Sequence, residues 1–420
     1  MSIQQNFPEI SPSLNLNFAR SKTLDPRITF SRTSTATRVN EQGLVEVMSA
    51  DIPRFDHKYD ASTGVIKSLG LLVEESRSNL LSYSEQFDNA VWDKLFDAAI
   101  DDNSATAPNG EYTADKLKND TTASETVLLL RVNKSLSAGA HTLTVYAKQA
   151  ELRNLMLRIS GSTDYRANCD ITTGDFNKFN NPVCSIVFLN AGWVRVSMTA
   201  PTLDAGSVNI EIWGRSGSST STGGVDSFTA GDGIYIWGAQ LEEGSFPTSY
   251  IPRPDASTAT RNPDNVSMED DNFSDVYNQE EGSYKVEGVI NGSLPANTYG
   301  GIFGAGGGSG TSNFIYYNPG TSFGQYVSNT SQSPASTLGK AYTVGSKFKI
   351  SASYATNDFA CSLNGDISTS TTSNALYKSH THFRIGSNPI SFAVRGAMTI
   401  SNISYYSKQI KDTQLQNLTK

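Results

Sequence analysis

Val208-Asn-Ile-Glu-Ile-Trp213 decides the fold class. Side chains on a strand alternate between its two faces, so Val208, Ile210 and Ile212 share one side while Asn209, Glu211 and Trp213 take the other. Such a segment belongs to an antiparallel sheet with one face on a core. Trp193-Val-Arg-Val-Ser-Met-Thr199 repeats the pattern, with Val194, Val196 and Met198 inward and Trp193 opposite them. Residues 143–147, 155–159 and 234–239 read as further strands. Phe359-Ala-Cys-Ser-Leu363 runs into Asn364-Gly365, a pair that accepts the positive φ angles of a type I′ hairpin turn.

Only two windows read as helix. One follows Ser84 as N-cap, with Phe87, Val91 and Leu95 four apart; the other is short and terminal, Asp412 through Leu418. The chain is therefore expected to be all-β. An irregular N-terminal segment over 1–80 precedes two antiparallel β-sandwiches, at 81–250 and 266–420. A linker at 251–265, with Pro252, Pro254 and Pro263, separates them. The glycines between Gly300 and Gly310 read as a close-approach loop at a sheet edge. Ser34-Thr-Ala-Thr-Arg38 recurs as Ser257-Thr-Ala-Thr-Arg261, an echo too short to mark a repeated domain.

Composition narrows the function class. Of 420 residues, Ser, Thr, Asn and Gly number 54, 38, 32 and 34, and only 18% are charged. The net charge of −8 argues against a nucleic-acid binder, which needs a basic surface to release counterions. Three cysteines, Cys169, Cys184 and Cys361, are too few for a disulfide framework. Without an apolar run long enough for a transmembrane helix or an N-terminal signal peptide, a protein of this surface chemistry is expected to leave its cell by lysis.

Residue patterns for catalysis are absent from the sequence. Gly306-Gly-Gly-Ser-Gly310 lacks the last glycine of a nucleophile elbow. The adjacent carboxylates Glu74-Glu75, Asp101-Asp102 and Glu242-Glu243 point to opposite faces of a strand, so no pair is aimed at one glycosidic bond. His380 and His382 share a strand face with no neighbouring ligand to complete a zinc site. The chain is expected not to be an enzyme and to need no cofactor beyond a structural calcium, for which Asp232 is the candidate ligand. For glycan binding the candidates are Trp193, Trp213, Tyr235 and Trp237, whose rings can stack on sugar if they are exposed.

Three stretches also carry a resemblance. Leu24-Asp-Pro-Arg-Ile-Thr-Phe-Ser-Arg-Thr-Ser-Thr-Ala-Thr-Arg38, Pro53-Arg-Phe-Asp-His57 and Gly70-Leu-Leu-Val-Glu-Glu-Ser-Arg-Ser-Asn-Leu80 resemble the N-terminal region of many tailed-phage structural proteins. Ser84 to Trp92, Gly233 to Glu242 and Thr248-Ser-Tyr-Ile-Pro252 look like the jelly-roll, carbohydrate-binding module of that group. Ile403 to Ile410 with Leu415 and Leu418 resembles the close of a laminin-G or concanavalin-A-like lectin domain. The resemblance implies a virion protein assembled in the host cytoplasm and anchored through residues 1–80. Its partners would be other virion proteins, its own copies, most simply in a trimer, and host-surface glycans, with no nucleic acid and no membrane insertion. It implies a tail fibre or tail appendage; a capsid decoration or head fibre is the alternative, and a polysaccharide-degrading tailspike is less favoured.

Overall fold

The computed structural model describes residues 7–121, 127–222, 226–292, 298–318, 322–328, 334–340, 343–370, 376, 378–389 and 397–420. Among the described residues, strand makes up 55% and helix 6%. The described residues form four large antiparallel sheets, of eight, seven, six and six strands.

The two six-stranded sheets face each other and make the middle sandwich. One runs, in spatial order, from Val183–Phe188 through Trp193–Leu203, Gly139–Gln149, Gly233–Glu243 and Ala114–Asn119 to Ala98–Ala105. Its partner runs from Phe176–Phe179 through Asp164–Asp170, Asn154–Ser160, Gly206–Arg215 and Leu128–Leu136 to Asp93–Phe96. Val194, Val196, Met198, Val208, Ile210 and Ile212 meet in its core, as the alternation requires.

The second sandwich is not built from C-terminal residues alone. Ala397–Tyr406 pairs on one side with Gly282–Ile290 and on the other with Leu14–Asn17 and Val65–Glu74. Thr29–Ser31 joins the opposite, seven-stranded sheet beside Asn265–Glu269. The expected division at residue 80 thus cuts across one hydrogen-bonded sheet, and the middle sandwich is inserted within the outer one. Pairings such as Leu14 with Tyr405 join the chain ends, which local periodicity cannot anticipate.

Three other readings are corrected. Residues 82–92 form turns, not a helix, because tertiary partners take their backbone groups. Asp115 accepts the Phe87 N–H at 2.9 Å, and the Ser84 N–H donates to the Arg253 carbonyl at 2.9 Å. Gly300–Gly307 is a strand inside the seven-stranded sheet and not an edge loop. Its glycines let another segment lie on the sheet: a Cβ at Gly301 would sit 2.2 Å from the Ser387 carbonyl oxygen. Residues 251–265 are no free linker, since Ile251, Arg261 and Asp264 are buried. The hairpin at Asn364-Gly365, with φ of 47° and 89°, and the helix Asp412–Leu418 form as read.

An aromatic stack of Tyr277, Tyr284, Tyr354, Tyr405 and Phe383 fills the outer core. His380 lies against it, buried, with Nδ1 3.1 Å from the Tyr277 hydroxyl, whereas His382 contacts the Pro389 carbonyl. Burial holds the His380 ring down to about 4. The unfolded chain, titrating near 6.5, takes up its proton first. This histidine therefore costs nothing above pH 6.5 and drains stability as pH falls toward 4, by up to about 3 kcal/mol. Asp56 and Asp115, which burial pushes up to about 6, act with the opposite sign but cancel between variants. Urea titrations of wild type and His380→Gln should diverge in the variant's favour between pH 6.5 and 4. A constant difference would refute the assignment.

Candidate functional site at the junction of the sandwiches

The chain leaves the outer sandwich after Val65–Glu74 and returns before Asn265–Glu269. At the crossing, Arg77–Asn79 pairs antiparallel with Ala259–Arg261, making a two-stranded neck. Beneath it lies an ionic network whose side chains are all but excluded from water. Asp264 accepts Arg32 through one oxygen at 2.9 Å, and through the other it accepts Arg54 and the Glu74 N–H. Glu74 accepts Arg54 at 2.7 Å, Arg261 at 3.1 Å, and both the hydroxyl and N–H of Ser249. Burial pushes the Glu74 carboxyl up, but Arg261, Arg54 and the Ser249 bonds overcome it and hold it down to about 2. Glu242 extends the network by accepting the Thr248 hydroxyl and N–H at 2.6 and 2.8 Å.

Six of these residues, Arg32, Arg54, Glu74, Glu242, Thr248 and Ser249, come from the stretches that carry the phage resemblance, and Arg261 and Asp264 lie outside them. Those segments converge on one intramolecular socket. Asn262, one residue beyond the second echoed segment, donates its N–H to the Ser34 hydroxyl of the first at 2.8 Å. Sequence reading missed the network. Its members are charged residues in small-polar or apolar surroundings, such as Glu74 after Leu-Leu-Val, but nothing local says that they meet. The carboxylates Glu74 and Glu242, weighed above for sugar chemistry, are committed to the neck.

The glycan candidates are mostly internal. Trp193 faces away from the middle core, as parity predicts, and so does Trp237, whose strand is apolar on both faces, yet only 2% and 1% of their surfaces are exposed. They cluster with Tyr146, Tyr250 and Val45; the Trp237 and Tyr250 rings lie 4.9 Å apart. The hairpin Ala36–Val39/Val45–Met48 reaches over this sheet, the Val45 N–H donating to the Pro108 carbonyl. Tyr235 at the rim is half-buried, with Lys116 6.0 Å from its ring. Trp213 lies on the polar face of the other sheet with Asn209 and Glu211, but Leu129 and Met156 flank it and it is 3% exposed. None of the three tryptophans offers a ring to a sugar. Asp232 closes a turn by accepting the Thr229 N–H at 2.7 Å. Among the described residues, no group of three His, Cys, Asp or Glu could hold a metal.

The polar face that carries Trp213 is organised by one buried carboxylate. Glu211 accepts Arg131 Nε, Arg158 and Trp213 Nε1, each at 2.9 Å. The Arg131 side chain stays 32% exposed, on the strand face it shares with Asn133, whose amide bonds that of Asn209 at 3.2 Å. Asp93 stands opposite Arg131 in register. Donors and acceptors thus stand side by side on this sheet face.

This is an all-β protein of two nested antiparallel sandwiches. No protein-family model matches the chain, and no curated protein matches it in sequence. Among solved structures it is similar to the CBM40 of Ruminococcus gnavus IT-sialidase bound to alpha2,3 sialyllactose, at 13% identity, 34% of this chain and 83% of that one, TM-score 0.29. Domain 4 of AbnA, a GH43 extracellular arabinanase from Geobacillus stearothermophilus, in complex with arabinotriose, is similar over 42% of this chain and 83% of its own, at 11% identity and TM-score 0.31. Mouse laminin alpha1 chain domains LG4-5 are similar over 69% and 90%, at 11% identity and TM-score 0.24. Likeness at these scores carries no statement about what this chain binds.

Proposed function

We propose that the chain is a non-enzymatic structural protein of a tailed-phage particle, of the tail-fibre or tail-appendage type, that holds a β-sandwich toward host-surface glycans. The observation that carries this reading is the nesting. A buried ionic neck grips the middle sandwich, and one of its sheets is covered by the hairpin of 36–48. The other sheet keeps a polar face for contact. Arg131, Asn133 and Asn209 are the groups there that would bond sugar hydroxyls, in place of the buried tryptophans. Multiple copies on a particle would add weak contacts into avidity.

The test is a glycan array probed with the wild-type chain and with Arg131→Gln and Asn133→Ala. Binding should fall at least tenfold in each variant. The melting temperature should stay level for Asn133→Ala, since exposed substitutions usually move stability by no more than about 0.5 kcal/mol, and should fall for Arg131→Gln, which takes a donor from the buried Glu211, so its binding is read on the folded fraction. An array blank with wild type would reject glycan binding. A labelled copy on the capsid in electron micrographs would replace the tail assignment with the shell.

A further inference from the structure

Sheet edges present unpaired N–H and C=O groups, and proteins normally blunt them with charge, proline or brevity. In the four large sheets the described edges follow this rule with one exception. Asp93–Phe96, Ala98–Ala105, Phe176–Phe179, Arg54–Asp60 and Asp366–Ser370 all carry charged residues. Pro334–Leu338 opens on a proline, and Thr29–Ser31 and Leu14–Asn17 are only three and four residues long. The remaining edge, Val183-Cys-Ser-Ile-Val-Phe188, has six residues and no charge.

Its side chains are asymmetric in use. Cys184, Ile186 and Phe188 turn inward against the middle core. Val183 and Val187 turn outward, 61% and 43% exposed, with Phe179 of the neighbouring edge 41% exposed. The Leu189 N–H donates to the Trp193 carbonyl, so alternation sends the backbone groups of Val187, Ser185 and Val183 toward the same inner strand. Those of Cys184, Ile186 and Phe188 therefore face the open edge.

The geometry points to a second copy of this chain as the occupant, paired antiparallel along this edge about a two-fold axis at Ser185. In that register Val183 of one copy meets Val187 of the other on the outer face. Cys184 pairs with Ile186 and exchanges the free backbone hydrogen bonds, and the two Ser185 residues stand opposite each other. No charge on the strand repels its copy, and an isologous contact needs this self-complementary pattern. The six-stranded sheet edged by Val183–Phe188 in one copy and its equivalent in the other become one continuous sheet. A two-fold contact of this kind makes a pair, not the trimer that the phage resemblance implies.

Sedimentation velocity on the full chain tests it, with Val187→Lys placing a charge on the edge and Val183→Lys as a second variant. Wild type should sediment as a dimer at micromolar concentration. Both variants should be monomers there, their association weakened at least tenfold with melting temperature retained. Ser185→Cys should form an intermolecular disulfide on mild oxidation, because directly opposed residues in a non-hydrogen-bonded pair lie about 4.5 Å apart at Cα, within disulfide range. A monomeric wild type, a trimer, a dimer indifferent to both lysines, or wild type that binds only a foreign peptide at this edge would each overturn the inference.

Discussion

Asp264→Ala should destabilise the outer sandwich by about 3–5 kcal/mol, the range for removing one partner of a buried ion pair. Asp264 compensates two buried guanidiniums, Arg32 and Arg54, and also receives the Glu74 N–H. Without it both cations lie in a water-free site with fewer acceptors. Arg54 then depends on Glu74, the Thr37 carbonyl and the Ser249 hydroxyl. Scanning calorimetry should show a melting transition lowered on the order of 10 °C. The transition of the middle sandwich should move less, because its core residues belong to a separate cluster. Asp264→Asn, which keeps the shape but not the charge, should lose most of the same stability. A loss below about 1 kcal/mol in both variants would mean that the network is solvated and that the neck is held by packing.

Trp237→Ala and Trp193→Ala should each cost about 3–5 kcal/mol through cavity formation. Trp237 packs edge-on to Tyr146 at 5.2 Å and against Tyr250 at 4.9 Å, and the Trp193 indole donates to the Thr106 carbonyl at 3.0 Å. Trp213→Ala should fall in the same class, because it also strips a donor from the buried Glu211. Trp213→Phe separates the two contributions by keeping ring volume and removing the N–H. Glycan binding by the protein that remains folded should be unchanged in the Trp193 and Trp237 variants. Chemical denaturation reads the result, and a change within about 0.5 kcal/mol at either tryptophan would return it to the surface as a stacking ring.

Parity read correctly which side of its strand Trp193 and Trp213 take, whereas the strand of Trp237 is apolar on both faces and gave no side. Trp193 and Trp213 do oppose Val194 and Val208, as the two-residue period demands. Exposure was not legible, because it depends on what the rest of the chain lays over the outer face. In one case this is the hairpin of 36–48, more than a hundred residues away in sequence. The Ser84 window shows the same limit: its i, i+4 spacing is helical, but Asp115 and Arg253 outbid the local hydrogen bonds.

Sequence alone determined the all-β class, the faces of the middle strands, the Asn364-Gly365 turn and the terminal helix. Each rests on backbone geometry and side-chain period within about a dozen residues. Only the tertiary structure decided that residues 14–74 complete the C-terminal sandwich and that Arg32, Arg54, Glu74, Arg261 and Asp264 form one buried site. It also decided that Trp193, Trp213 and Trp237 are buried rather than exposed. Strand pairing and ion pairing join residues by distance in space. A charge in a sequence looks the same whether water or another segment will satisfy it.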